Sequence, residues 1–230
     1  MIKFIFKIAV YAFFIFLIGN GVAMISLYFI GKSNLYKPQF LKNGVKETNF
    51  DYLVLGSSTG LTTLDTKLID KTLNTNGLNI SLDDSSLSTH LLMLNYFLSL
   101  GKHTKRLVLC VTPWDLERKE NKINTNDYRF LSEIDNPFVY NHYRTLEKNE
   151  FKVLTYSKQL PILGLSYYNI ELFYPSLYTI VNPNKRNRFD DRGNYSYPKS
   201  NNILKDEPLK EVNVEIANPA FFNIQSLCKK

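Results

Sequence analysis

The 230-residue chain is poor in the residues that build metal clusters and disulfide scaffolds. It contains two cysteines, Cys110 and Cys228, and three histidines, His90, His103 and His142. Two cysteines cannot make a disulfide-rich scaffold, and neither is spaced to bind a metal, so we expect two buried or idle thiols. The sequence predicts no cofactor and no metal site.

The chain also lacks the basic character of nucleic-acid-binding domains. Its formal net charge is +7, but residues 1–50 hold six lysines and one acid, Glu47, whereas residues 51–230 hold 22 basic and 20 acidic side chains. The larger part of the chain therefore attracts phosphate groups only weakly. We exclude nucleic acid as a partner.

A long uncharged run, Ile8 to Ile30, follows Lys3 and Lys7 near the N-terminus. As a helix, its 23 positions would span about 34 Å, enough to cross a hydrocarbon core of about 30 Å. The sequence predicts a membrane anchor over residues 1–31, with the lipid bilayer as its partner.

Two alternatives to an uncleaved anchor stay open. Gly21-Val22-Ala23 has the small-x-small form of a signal-peptide cleavage site, although the apolar run continues past it. A buried core helix is the second alternative, and it is the weaker one because the run has almost no polar face over six turns. Charge does not settle the orientation, because lysines flank the run on both sides.

After a polar connector at residues 32–49, short apolar strands alternate with longer amphipathic helices. Periodicity predicts strands at Tyr52–Leu55, Leu78–Leu82 and Arg106–Thr112, and helices at Leu61–Leu73 and Ser85–Leu100. This order indicates right-handed crossovers and a parallel sheet covered by helices on both faces.

The second half of the chain has weaker patterns. Residues 130–143, 147–160 and 167–178 resemble helical or irregular pieces, and residues 182–202 form a polar loop that we expect to be solvated. Asn218 and Pro219 mark a helix start. We expect one domain over residues 50–230, in which Trp114 packs in the core rather than forming a sugar-stacking surface.

Chemical interest centres on Gly56-Ser57-Ser58-Thr59-Gly60, directly after the first predicted strand. A serine at this turn would lie beside the free N–H groups of the next helix, which suits a nucleophile. A polar turn and helix cap is the alternative, and the pattern alone favours it. The segment also fits the nucleophile elbow of α/β-hydrolases with Ser58 at its centre, but that elbow follows several strands and here only one precedes it.

The order of blocks resembles the SGNH/GDSL hydrolase superfamily, in its membrane-anchored branch that handles acyl groups on cell-surface polysaccharides. The resemblance rests on residues 50–58, 78–87 and 107–114, after an N-terminal anchor. It implies a three-layer, flavodoxin-like α/β fold with Ser58 as nucleophile. The backbone N–H groups of Ser58 and Asp84 would then form the oxyanion hole. It also implies a cytoplasmic N-terminus, an extracytoplasmic domain, and a glycan or acyl donor as ligand.

The chain departs from that family at three positions. Asp84 stands where the second block has glycine, no asparagine matches the third block near residues 112–114, and no Asp-x-x-His supplies a base. His90 is a weak candidate base, since a histidine at this point of a helix more often packs or faces solvent.

Three functions follow from these observations. The first is a membrane-anchored serine esterase or O-acyltransferase that is incomplete or inactive in this chain, because the catalytic aspartate and histidine are absent. The second is a non-catalytic SGNH-like protein that binds a glycan or a partner, and the third an unrelated anchored interaction protein. A capped helix just before the last residue predicts a C-terminally incomplete sheet.

Overall fold

A computed structural model describes residues 2–148, 151–196 and 213–229. The chain divides into two compact units. One unit is Met1–Gly44 with Tyr128–Lys185, and the other is Val45–Asp127 with Arg186–Lys230.

The helices and strands follow one another in this order along the described residues. They are α1 Ile2–Lys32, α2 Lys37–Asn43, β1 Asn49–Phe50, β2 Tyr52–Gly56, α3 Ser58–Thr63, α4 Thr66–Leu73, β3 Gly77–Asn79, α5 Leu87–Ser99, β4 His103–Thr104, β5 Leu107–Cys110, α6 Pro113–Glu117, a 3₁₀ helix Thr125–Glu133, α7 Pro137–Leu146, α8 Val153–Tyr156, α9 Pro161–Tyr168, α10 Ile170–Val181 and α11 Pro219–Leu227.

The second unit is built on a parallel sheet with β2 in the middle. The strand order is β3-β2-β5, with Leu53 opposite both Leu78 and Leu107, and β1 pairs in parallel with β4. Every residue of β2 is buried, so this strand is covered on both faces, as parallel strands require. The predicted α/β class with a parallel sheet is confirmed.

The observed elements differ from the predicted ones at several boundaries. The strand predicted for residues 78–82 is Gly77–Asn79, and the strand predicted for residues 106–112 is Leu107–Cys110. The single helix predicted for residues 61–73 is wrong, because the chain breaks at Leu64 and restarts as α4. The Asp65 carboxylate causes the restart by accepting the backbone N–H groups of Lys67 and Leu68 at 2.9 and 3.3 Å. The predicted α5 and α11 are confirmed, the latter with the Asn218 side chain accepting the N–H of Ala220 at 2.9 Å.

The polar loop after α10 is exposed over residues 182–185, as predicted, whereas residues 192–195 are buried or half-buried beside the sheet. The carbonyl of Arg192 accepts the N–H of Asn79 at 2.9 Å, beside β3. The side-chain oxygen of Asn194 accepts both the N–H and the hydroxyl of Thr66 at 3.1 Å. Residues 186–196 therefore cover the end of β3 and the start of α4, and residues 197–202 of the predicted loop lie outside the described residues.

The first unit contains α1 and the helices around it. Helix α1 is long and apolar enough to cross a membrane, and its side chains up to Val22 are exposed or nearly so, which does not fit a buried core helix. From Ala23 onward one face is buried, including Leu27 and Ile30. The connector is packed too: Gln39 is buried and donates to the carbonyl of Arg129 at 2.9 Å.

Candidate functional site

The three strands of the central sheet end at one edge, because they are parallel. Of these three strands, β2 comes first in the chain and lies in the middle of the sheet. The next strand, β3, lies on one side of β2, and β5 lies on the other side. Such a reversal leaves a crevice at the carboxyl ends of the strands, where α/β proteins bind ligands. Residues 57–60, 80–86 and 111–115 follow the three strands at this edge.

Two glycines bring α3 close to the neighbouring strand ends. A Cβ on Gly56 would lie 2.6 Å from the carbonyl oxygen of Cys110, at the end of β5. A Cβ on Gly60 would lie 2.6 Å from the hydroxyl oxygen of Ser81 and 3.2 Å from the Cβ of Cys110. Larger residues would push α3 away from the edge, so these glycines set the position of Ser58.

Ser58 is the first residue of α3 and is half-buried. Its carbonyl accepts the hydroxyl of Thr62 at 2.9 Å, whereas its own hydroxyl has no hydrogen bond to any residue that the structure describes. Ser57 occupies the N-cap position without a side-chain capping bond, and its hydroxyl pairs with that of Thr59 at 3.3 Å. Ser57 is therefore the N-cap of α3 by position, but the side-chain capping bond of the predicted alternative does not form.

The backbone at the start of α3 offers donors beside that hydroxyl. The first N–H groups of a helix have no partner within the helix. Those of Ser58, Thr59 and Gly60 belong to this first turn. They suit an oxyanion that forms on a carbonyl attacked by Ser58.

Asp84, the other candidate for the oxyanion hole, is exposed and has a positive φ of 45°. Its carboxylate accepts the side-chain amide of Asn126 at 2.8 Å, and its carbonyl accepts the same amide at 3.1 Å. The amide contact holds this carboxylate at the loop surface. The role of the Asp84 N–H stays a prediction.

His90 is completely buried in α5, and its hydrogen bonds fix its tautomer. The hydroxyl of Ser85 donates to the carbonyl of Leu82 at 2.6 Å and lies 2.9 Å from His90 Nε2. The single proton of the Ser85 hydroxyl is used in the bond to Leu82, so the hydroxyl oxygen must accept a hydrogen bond from His90. Nε2 of the neutral ring therefore carries the hydrogen, and Nδ1 does not. His90 Nδ1 is buried and has no partner among the described residues.

This environment keeps His90 neutral and away from Ser58. Burial lowers the pKa of His90 to about 4, although the charges of Asp115 and Asp127 act in the opposite direction. No hydrogen bond links His90 with Ser58, and Ser85 occupies Nε2. The packing interpretation of His90 fits this arrangement better than the base interpretation does.

Sequence reasoning missed the residue that secures α3 to β3. Asn79 is fully buried, and its amide donates to the carbonyls of Gly60 and Leu64 at 2.9 and 3.4 Å. Its side-chain oxygen accepts the N–H of Ser81 at 3.0 Å. The signal was present in the alternating pattern of residues 78–82, where polar residues occupy one face of the strand, towards α3.

Trp114 corrects another expectation, because it is not in the core. It lies in α6 just after β5 and is 78% exposed. The capping box between Thr112 and Asp115, with the hydroxyl and carboxylate 2.8 Å apart, holds this helix start in place. An exposed indole at the carboxyl edge is available for a ligand.

The free thiols and the acidic residues give no second centre within the described ranges. Cys110 is half-buried and Cys228 is exposed, and burial raises the pKa of the Cys110 thiol. No group of three or more His, Cys, Asp or Glu side chains in these ranges has the geometry to hold a metal ion.

The role of Asn79 can be tested by truncation. Asn79→Ala removes an amide that bonds the buried carbonyl of Gly60 and the partly buried carbonyl of Leu64, so we expect the free energy of unfolding to fall by about 1–3 kcal/mol. Ser81→Ala is the matched control, because its buried hydroxyl has no partner among the described residues and its loss should cost nothing. Urea unfolding followed by circular dichroism measures both variants, and equal stability of the two would contradict this role.

The lowered pKa of His90 predicts that the free energy of unfolding decreases in acid. In the unfolded chain its pKa is near 6.5, whereas the folded value is about 4. The unfolded state therefore binds the proton first, and stability falls as the pH drops through this window, by roughly 3 kcal/mol at its lower end. His90→Gln should flatten the unfolding free energy between pH 7 and pH 4.5, and parallel profiles for the two proteins would refute the assignment.

Comparisons with known proteins yield no relative for this chain. No family model matches it, and neither curated proteins nor solved structures give a match. Function must therefore be argued from the carboxyl edge of the sheet itself.

Proposed function

We propose that this chain is a membrane-anchored, SGNH-like serine esterase or O-acyltransferase for an acylated glycan outside the cytoplasm, and that it has little or no activity by itself because the Asp-x-x-His of that family is absent from the sequence. The observation that supports this best is the position of Ser58. It begins α3 at the end of the central strand, and its hydroxyl makes no hydrogen bond with the described residues. A serine that served only as a helix cap would use its oxygen to accept a helix N–H.

The proposed chemistry is acyl transfer through Ser58. Its oxygen attacks the carbonyl carbon of a glycan ester, and the N–H groups of the first turn of α3 stabilise the oxyanion. The hydroxyl proton passes to a base and then to the departing sugar oxygen, as the ester bond breaks. Water then releases the acyl group as an acid, or a second sugar hydroxyl takes it as a new ester.

The proposed reaction needs a base that accepts the Ser58 proton. In residues 2–148, 151–196 and 213–229, no histidine or carboxylate accepts the Ser58 proton, and Ser85 already engages His90. A serine hydroxyl without a base is a weak nucleophile at neutral pH. We therefore expect this polypeptide by itself to turn over slowly or not at all.

A non-catalytic glycan-binding protein is the second candidate, and Trp114 favours it. An exposed indole beside the end of β5 offers a flat apolar surface for a sugar ring. Binding of this kind needs no base. It is compatible with the same site and the same anchor.

The location follows from the anchor and the resemblance together. Helix α1 is suited to cross the membrane, with Lys3 and Lys7 before its apolar run. We place these lysines in the cytoplasm and the residues after α1 outside, where a cell-surface polysaccharide would be met. This orientation is part of the proposal.

Reaction of Ser58 with a fluorophosphonate probe separates the two candidates. The catalytic candidate requires a covalent adduct on Ser58 in the full chain in detergent, detected by peptide mass spectrometry and formed slowly, because no described residue acts as a base for this hydroxyl. Ser58→Ala should abolish the adduct, whereas the matched variant Ser57→Ala should keep it, because Ser57 is the N-cap residue outside the helix. Absence of any adduct would exclude the catalytic candidate.

Trp114 is the only tryptophan in the chain, so its fluorescence reports on this edge alone. Titration with acetylated xylo-oligosaccharides should change its emission in the unmodified chain and equally in Ser58→Ala, since stacking does not depend on the hydroxyl. Trp114→Ala should weaken binding measured by calorimetry at least several-fold. Binding that leaves the emission unchanged, or no binding at all, would argue against a glycan site here.

A further inference from the structure

Helices α9 and α10 form an almost uncharged segment in the first unit. Residues 160–182, which include both helices, contain one charged side chain, Glu171. At about 1.5 Å per residue, helices of eight and 12 residues are roughly 12 and 18 Å long. Each is too short to cross a bilayer.

Both helices pack against the second half of α1. At the start of α9, a Cβ on Gly19 would lie 2.5 Å from the Cδ1 atom of Ile162, and the N–H of Ile162 donates to the side-chain oxygen of Asn20 at 3.3 Å. Just beyond α1, Tyr36 donates to the carbonyl of Glu171 at 2.6 Å. Small residues at helix contacts and satisfied backbone donors are features of helices that pack within membranes.

The contact between Asn20 and Ile162 fixes the depth of the start of α9 relative to the span. Asn20 lies 13 positions after Lys7, a distance of about 20 Å along a helix, which is less than the roughly 30 Å of hydrocarbon that α1 must cross. The start of α9 therefore lies at a membrane depth whenever α1 spans. The carbonyl of Pro183 accepts the N–H of Asn34, so the segment after α10 returns to the level just past α1.

Most exposed side chains of α9 and α10 are apolar, apart from Ser166 and Glu171. The exposed apolar side chains are Tyr167, Tyr174, Leu177, Tyr178, Ile180 and Val181. A patch of this kind is unfavourable in water and marks a surface that contacts lipid or another apolar phase. Tyrosine and aliphatic residues together suit the boundary between acyl chains and headgroups.

We infer that α9 and α10 form a hairpin embedded in the outer half of the bilayer that α1 spans, with their exposed faces against lipid acyl chains. Continuity with α1 supports lipid as the occupant, because the same unit exposes an α1 surface over residues 2–18 that is almost entirely apolar, with Lys3 and Lys7 as its charged residues. The inference rests on the proposed anchor. It extends that anchor from one helix to a three-helix membrane unit.

Site-specific fluorescence quenching tests the inference in the full chain. Cys110 and Cys228 are replaced by alanine, and an environment-sensitive fluorophore is attached to a single cysteine introduced at Leu177, Ile180, Ile15 or Leu68, all exposed positions. Each protein is reconstituted in phosphatidylcholine vesicles that contain lipids with a nitroxide on the acyl chain. Labels at Leu177, Ile180 and Ile15 should lose fluorescence, and the label at Leu68, in α4, should not.

The outcomes distinguish the hairpin from the anchor. Quenching at Ile15 without quenching at Leu177 and Ile180 would overturn the hairpin and leave the anchor standing, whether water or a protein covers that face. Absence of quenching at Ile15 would overturn both. Quenching at Leu68 as well would show that the labels report non-specific adsorption, which also contradicts the inference.

Discussion

The close approach of α3 to the ends of β3 and β5 is the contact on which the candidate site depends. Gly56 and Gly60 allow it sterically, since a methyl group at either position would overlap the ends of the neighbouring strands. Asn79 then holds α3 there through two carbonyl contacts. Because the helix is fixed by backbone and buried side chains, Ser58 is positioned without using its own hydroxyl, which remains available for chemistry.

The two units differ in where their apolar side chains lie. In the α/β unit, every residue of the central strand β2 is buried. In the helical unit, most side chains of α1 before Val22 are apolar and exposed, and Asn20 bonds the N–H of Ile162. Exposed apolar surface with satisfied backbone groups is the arrangement that a lipid environment selects.

Periodicity in the sequence was sufficient to find β2, α5 and the α11 cap, because these depend on local patterns of burial. Periodicity could not place the break at Leu64, because an aspartate such as Asp65 can cap the start of a new helix or lie on the surface of a continuous one. The capping bonds that Asp65 makes in the structure show that it starts a new helix. Trp114 was misplaced for a related reason: aromatic content gives an average burial, whereas exposure depends on what packs above α6. The Ser85 contact that fixes His90 spans five residues and leaves no periodic signal.

The interleaving of the units was beyond sequence reasoning because it depends on contacts between distant segments. The sequence predicts only helical pieces over residues 128–185, yet these residues belong to the same unit as α1 and α2. Tyr36 donates a hydrogen bond to the carbonyl of Glu171, and Gln39 donates one to the carbonyl of Arg129. The chain therefore passes between the units at residues 44, 127 and 185. Removing residues 1–44 would strip α9 and α10 of the helix that they pack against, so α1, which is long and apolar enough to cross a membrane, is also part of a folded unit.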